Sequence, residues 1–398
     1  MAQHELPSFL KPTLRVSQFT VAIPDNDIAD FKTLLRLSKL PPATATSDDR
    51  HYGITASWMS EAKQKWQDFD WKATESKLNS LPQFTTEIDD FTVHFVATFS
   101  EDPDAVPLVL LHGWPGCYYE FYPLITALRK DKQKNYHIIV PSLPGYAFST
   151  APTDRQLLLS EMASVVDRLV VGLGFPGYVA VGGDIGSLVA RGLSGKPACR
   201  GVHLNMYVLL SEPPTAVSSL PRVDQECVAR GEMHKEDGTA YALIHGTRPN
   251  TISHVLASSP LAILAWIAEK FLDWTEEDPS MELILEVATL YWFTESFPRG
   301  IHPYREVAPG PMLLSGGTTK TDWTDTITIR SPYGYSWFPK EIIQKPLEWI
   351  EHDNKDVPLA VLKRHDRCGH FPAFECPYIY AEDIHAFVEA LVMMEKKM

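Results

Sequence analysis

Residues Tyr178–Ala190 read YVAVGGDIGSLVA. A short apolar run of strand character meets a glycine-flanked acid, Asp184, and a helical run follows. Strand, Gly-x-nucleophile-x-Gly and helix together describe a nucleophile elbow, in which a tight turn lifts one side chain to the top of a parallel sheet. The residue type at the centre sets the chemistry. A serine there would attack an acyl carbon, and water would later release the acyl group. At a saturated carbon, serine would form an ether that water does not cleave. A carboxylate forms an ester instead, and an activated water can hydrolyse that ester at its carbonyl. Asp184 therefore points to substitution at a saturated carbon, as in an epoxide or an alkyl halide.

Such a nucleophile needs an oxyanion hole, a base with an orienting acid, and a donor for the leaving oxygen. The hole takes one N–H from the residue after the nucleophile, Ile185, and one from the loop after an earlier strand. The His112–Gly116 loop, HGWPG, supplies Trp114 for the second. Chain order in this architecture is nucleophile, acid, His. His370 follows the last apolar strand in Cys-Gly-His-Phe, with His365 as its rival. Glu341, closing SWFPKE, is the acid chosen to orient the imidazole, ahead of Asp353 and Asp356. Phenols stay protonated at neutral pH and suit an opening epoxide. Tyr207, Tyr241 and Tyr291 qualify by position within an inserted helical lid and Tyr304 at its exit, and composition does not choose among them.

The elements that must hold these groups are legible in outline. VPLVLLHGWPG, YHIIVPSLPGYAFS, the elbow strand and GVHLNMYV are apolar strand runs separated by helical stretches. Continuous apolar strands alternating with helices predict a parallel sheet covered on both faces. Residues 1–100 read as an extension, with an amphipathic helix in PDNDIADFKTLLRLSKLP, two tryptophan-rich helical stretches and a hairpin turning near Asp89-Asp90. Its tryptophans are read as packing. Residues 101–210 and 311–398 form the two halves of the core, and 211–310 an inserted helical lid. VDQECVARGEMHKEDGTAYALIHG is one of the lid's helical stretches, and a long amphipathic helix closes the chain.

Composition narrows the partners. The 398-residue chain carries a net charge of −14, which argues against nucleic acid and anionic membranes. Cys117, Cys199, Cys227, Cys368 and Cys376 are scattered and odd in number, and show neither a disulfide framework nor a zinc spacing. A reducing compartment is expected. The N-terminal sequence has no apolar stretch of signal or anchor length, and the terminal Lys-Lys-Met is not a peroxisomal tail, so a cytoplasmic location is expected.

The motifs taken together resemble the epoxide hydrolases of the α/β-hydrolase superfamily, in the branch of the microsomal and fungal soluble enzymes. LPQFTTEIDDFTVHF, HGWPG, PSLPGYAFS, GGDIGS, SSPLAILAWIAEK, ESFPR and GHFPAFECP carry the resemblance in the family's order, over nearly the whole chain. It implies an α/β-hydrolase fold with a helical lid and an N-terminal extension. It implies Asp184 as nucleophile, His370 as base and Glu341 as acid, with Tyr241 and Tyr304 as the ring-opening pair and Trp114 and Ile185 at the oxyanion hole. The substrate would be a small epoxide, converted to a vicinal diol with no metal or organic cofactor. The resemblance allows a homodimer and leaves detoxification and biosynthesis both open. A biosynthetic epoxide-opening enzyme and a haloalkane dehalogenase are the alternatives, although Ile185 stands where a dehalogenase commonly has a halide-binding Trp. Cys368, where a glycine is common, and the segment Pro309–Thr328 depart from the family pattern.

Overall fold

A computed structural model of the chain describes residues 5–130, 135–307 and 322–397. Among the described residues, nine strands form one sheet in the order β1-β2-β3-β5-β4-β6-β7-β8-β9. The strands are β1 (Val16–Phe19), β2 (Gln83–Ile88), β3 (Phe91–Thr98), β4 (Val106–Leu111), β5 (Tyr136–Pro141), β6 (Tyr178–Gly182), β7 (Cys199–Leu204), β8 (Tyr333–Trp337) and β9 (Leu359–Arg364). From β5 to β9 the pairing is parallel, and β1, β2 and β3 add an antiparallel edge. Residues 107–111 of β4 and all of β5 and β6 are buried, the burial expected of strands covered on both faces.

Chain order reverses around β4, with β5 on one side and β6 on the other. A parallel sheet opens a crevice at the carboxyl ends of its strands where the winding reverses. The β4–β6 register, Leu108 opposite Val179 through Leu111 opposite Gly182, sets the HGWPG loop beside the Asp184 turn.

The lid is built from α7 (Arg222–Met233), α8 (Ala240–Thr247), α9 (Pro249–Ala257), α10 (Pro260–Trp274) and α11 (Met281–Thr294), numbered after six helices of the extension and core. Those six are α1 (Asp25–Leu37), α2 (Ala56–Gln67), α3 (Trp71–Leu78), α4 (Tyr122–Leu128), α5 (Leu159–Gly172) and α6 (Asp184–Leu193). Local chemistry starts the long lid helices. Ser259 caps α10 by accepting from the Leu261 N–H, with Pro260 at its first position, and Ser280 caps α11 through the Leu283 N–H.

The structure corrects three readings. The stretch 223–246 is not one helix: α7 and α8 are separated by a π-turn at His234–Gly238. Gly238 there packs against the His234 ring, in space a side chain would need. Cys368 and Cys376 form a disulfide across eight residues, while Cys117, Cys199 and Cys227 are free and buried. The loop between the two cysteines doubles back through the short helix Pro372–Glu375, a return that spacing along the chain did not announce. Tyr207 is not a lid residue; it sits just past β7 with its hydroxyl on Asp353. Strand β1 and helix α4 were also not foreseen. Most of Pro309–Thr328 lies outside the described residues.

The N-terminal extension grips the lid. Buried Trp66 donates its indole N–H to the Thr289 hydroxyl of α11 at 2.8 Å and packs edge-on to Phe31. Glu286 of α11, only 4% exposed, ties three parts together: it accepts from Lys77 (2.7 Å) and Thr74 (3.4 Å) of α3 and from the Tyr119 hydroxyl (3.1 Å) before α4. Removing it leaves the Thr74 and Tyr119 hydroxyls without that acceptor. Glu286→Ala should lower stability by about 1–3 kcal/mol, read as a reduced urea midpoint. An unchanged midpoint would show that water replaces the carboxylate at no cost.

Candidate active site

The elbow is a steric solution. Asp184 sits at φ 49°, in the left-handed region that residues with a Cβ rarely adopt, at a cost of about 1–3 kcal/mol. The turn is tight enough that a Cβ on Gly182 would meet the Gly186 carbonyl, and one on Gly186 would meet the Leu111 carbonyl at the end of β4. Gly113 of the neighbouring loop has no side chain because the Asp184 carboxylate occupies its place. Helix α6 starts at Asp184 itself, so the carboxylate sits at the first position of a helix.

The HGWPG loop brings one donor to that carboxylate. The Trp114 N–H donates to Asp184 Oδ1 at 2.8 Å. The Ile185 N–H, in the first turn of α6, makes no hydrogen bond to it. His112 fixes the loop: its Nε2 accepts from the Leu143 N–H at 3.1 Å, so its Nδ1 carries the proton, 3.0 Å from the Gly113 carbonyl. Burial holds this imidazole neutral, down at about 4.

His370 faces both carboxylates. Its Nδ1 is 2.9 Å and 3.0 Å from the two oxygens of Glu341, and its Nε2 is 3.4 Å from Asp184 Oδ2. His370 and Glu341 are 3% and 2% exposed, so neither charge is shared with solvent. Burial alone would pull the imidazole pKa down, but the charges and hydrogen bonds of Glu341 and Asp184 outweigh it and raise the pKa to about 10. The ring is a cation at rest. The rival groups are engaged elsewhere. His365 Nε2 meets Asp383 at 2.6 Å, Asp353 accepts from Tyr207 and from the Leu210 N–H, and Asp356 lies in an exposed turn.

Two of the four tyrosines converge here. Tyr241 comes from α8 and Tyr304 from the short helix Tyr304–Val307, with ring centroids 5.8 Å apart and nearly perpendicular. Tyr241 stacks on the Trp114 indole at 5.2 Å, and Tyr304 meets that indole edge-on at 6.0 Å. Burial first, and then the Asp184 charge, raises the Tyr241 pKa well above the usual phenol value. Burial does the same to Tyr304, with Tyr241 and Asp184 adding to it. Both are neutral donors at physiological pH. Tyr291 instead donates to the Gly116 carbonyl at 2.9 Å. Among the described residues no group of three or more His, Cys, Asp or Glu side chains could hold a metal ion.

A sequence profile for the epoxide hydrolase N terminus matches residues 16–121, and one for the alpha/beta hydrolase fold matches residues 106–223. A putative epoxide hydrolase of Dothistroma septosporum is 37% identical, covering 95% of this chain and 90% of its own length. The chain belongs to the epoxide hydrolase family. The solved structure of the Aspergillus niger epoxide hydrolase superposes with a TM-score of 0.90 at 44% identity, over 98% of this chain and 100% of that one. Epoxide hydrolase 1 of Sus scrofa is 29% identical over 94% of this chain and 89% of its own. The chain is thus an α/β hydrolase that acts on epoxides.

Within this hydrolase, the loop carrying His370 is held by groups that sequence reasoning did not single out. The Glu375 carboxylate accepts from the Gly369 N–H (3.0 Å), the Phe371 N–H (2.8 Å) and the Glu276 N–H just past α10 (2.8 Å). The His370 N–H itself donates to the Trp274 carbonyl of α10 at 2.9 Å, and the Cys368–Cys376 disulfide closes the loop. The lid therefore positions the histidine directly. Neither the disulfide nor this carboxylate was visible in the sequence, since a glutamate in a one-turn helix has no pattern to announce it.

Asp184 is one of the two charges that keep His370 cationic. Asp184→Asn should lower the His370 pKa by roughly one to three pH units, followed by NMR titration of the imidazole. An unmoved value would mean that the two side chains are not paired in solution.

Proposed function

We propose that the enzyme opens epoxides in two covalent steps, with Asp184 as nucleophile. The observation that carries this reading is the division of labour between the two Asp184 oxygens. Oδ1 is held by the Trp114 N–H, and Oδ2 is turned toward His370 with no such donor. Oδ2 attacks one epoxide carbon, the C–O bond breaks, and the released electron pair goes to oxygen. That oxygen takes a hydrogen bond, then a proton, from Tyr241 or Tyr304. The product is a hydroxyalkyl ester of Asp184, and the imidazolium restores the phenol proton.

His370 is then neutral and becomes the base. It removes a proton from water as the water oxygen bonds to Asp184 Cγ. Charge gathers on Oδ1, where the Trp114 N–H already points, and the Ile185 N–H is the second donor as the geometry becomes tetrahedral. Collapse breaks the bond from Cγ to Oδ2, and the departing oxygen takes the proton from His370. Glu341 keeps the imidazole in one orientation and stabilises its cationic form. The product is a vicinal diol.

This route puts the water oxygen into Asp184 before it reaches product. A single turnover in ¹⁸O-water should label the peptide containing Asp184 and leave the diol unlabelled, as read by mass spectrometry. Label in the first diol would mean that water attacks the epoxide directly and would end the covalent reading.

The two phenols address one oxygen, so they are partly redundant. Tyr241→Phe or Tyr304→Phe should slow alkylation roughly ten- to a thousand-fold, and the double variant should nearly abolish it. Near wild-type alkylation in the double variant, by stopped-flow single-turnover kinetics, would move proton donation to another group.

A further inference from the structure

Beside the Asp184 turn lies a small space that the two steps above do not assign. It is a cavity of about 20 Å³ lined by Asp184, His370, Gly183, Asn205, Tyr380 and Glu120. That is room for about one water molecule. Two of its walls carry polar atoms with unmet capacity. His370 Nε2 is buried, with Asp184 Oδ2 at 3.4 Å but no hydrogen bond of good geometry. Glu120 uses Oε2 to accept the Cys117 N–H at 3.0 Å, and Oε1 has no hydrogen bond from the described residues. Asn205 is committed elsewhere: its Oδ1 accepts from the Tyr380 hydroxyl at 3.1 Å and its Nδ2 faces the His370 carbonyl at 3.5 Å.

Glu120 has a structural role as well. It closes a capping box at the start of the Tyr118–Phe121 turn, and its Oε2 fills the space of the side chain that Gly116 lacks. A cap needs one oxygen and could as well sit at the surface. This carboxyl is instead placed beside the reacting groups.

Resting on the two-step reading above, we infer that this cavity seats the hydrolytic water and that Glu120 is its positioning residue. The water gives one hydrogen to His370 Nε2 and the other to Glu120 Oε1, which aims its lone pair at Asp184 Cγ. In the step itself the water oxygen bonds to Cγ, the first proton moves to His370, and the Cγ=Oδ1 pair moves onto Oδ1. When the bond from Cγ to Oδ2 breaks, the diol oxygen takes the proton from His370. The second water proton then passes from the new Asp184 carboxyl to His370, which restores the resting carboxylate and imidazolium.

Burial raises the Glu120 pKa to about 8, the Cys117 N–H and the His370 charge oppose that, and the Asp184 charge adds to it. The His370 and Asp184 charges act in opposite senses and both are gone in the ester, so at the hydrolytic step Glu120 is governed by its burial and by the Cys117 N–H.

The test is Glu120→Gln, which can keep the cap through its amide oxygen but removes the charge. Alkylation and ester hydrolysis are followed separately in single turnovers, with His370→Gln measured alongside. Hydrolysis should slow roughly ten- to a hundred-fold while alkylation stays within about two-fold. The pH profile of hydrolysis should lose the Glu120 ionisation and keep that of His370. Glu120→Asp, which retains the charge, should retain that ionisation, and it decides the question if the Gln variant does not fold. Wild-type hydrolysis in Glu120→Gln, or equal slowing of both steps, overturns the role of Glu120. If His370→Gln accumulates ester while Glu120→Gln hydrolyses it normally, only the Glu120 role fails. If His370→Gln forms no ester, the two-step scheme fails and takes the Glu120 role with it.

Discussion

The arrangement depends on one backbone constraint: a carboxylate-bearing residue held at positive φ between a strand and a helix. Asp184 can occupy that conformation only because Gly182 and Gly186 let the turn fold against the end of β4. The same closeness brings the β4 loop within hydrogen-bond reach, so the turn that presents the carboxylate also supplies Trp114 to one of its oxygens. A larger residue at Gly113 would displace the carboxylate. Strain, donor and access are consequences of one packing event, and the parallel register of β4 and β6 fixes where it happens.

Around this point the protein accumulates charge that it does not expose. Glu341 and His370 are both nearly inaccessible, and a buried ion pair of this kind is weak evidence for stability, because desolvation offsets the attraction. Its value lies in orientation. Nδ1 faces both Glu341 oxygens, which leaves Nε2 as the one nitrogen that can face Asp184. The lid completes the restraint, since the Trp274 carbonyl takes the His370 N–H and Phe271 stacks on Phe371 at 4.8 Å. Because the extension is bolted to α11 by Trp66, Lys77 and Glu286, the first hundred residues take part in holding the lid over the site.

Sequence patterns exposed the parts of this site that are local. The elbow, the HGWPG loop and the apolar strands are each contiguous, so residue type and spacing carry their geometry. The choice of Glu341 over Asp353 rested on its place closing SWFPKE just after a strand, and the structure puts Glu341 against the imidazole and Asp353 against Tyr207. Composition left four tyrosines equivalent, and Tyr241 and Tyr304 were singled out only through the resemblance. What stayed hidden is set by tertiary return. Glu375 matters because two loops bring three N–H groups to it, Cys376 because a one-turn helix folds it back onto Cys368, and β1 because it pairs with a strand more than sixty residues away. None of these leaves a periodic trace.

One charge also links the groups that act in succession. The carboxylate of Asp184 raises the proton affinity of Tyr241 and Tyr304, helps hold His370 as a cation and opposes ionisation of Glu120. Each effect is Coulombic in a site with little water, so each is larger than it would be at the surface. On the two-step route proposed above, forming the ester would remove that charge at once. The phenols would then become stronger acids as the ring oxygen needs a proton, and the imidazole would give up its own proton more easily. Neutralising Asp184 would thus move Tyr241, Tyr304 and His370 toward the protonation states of the next step. Hydrolysis would restore the carboxylate and reset them, so that route needs no separate switch.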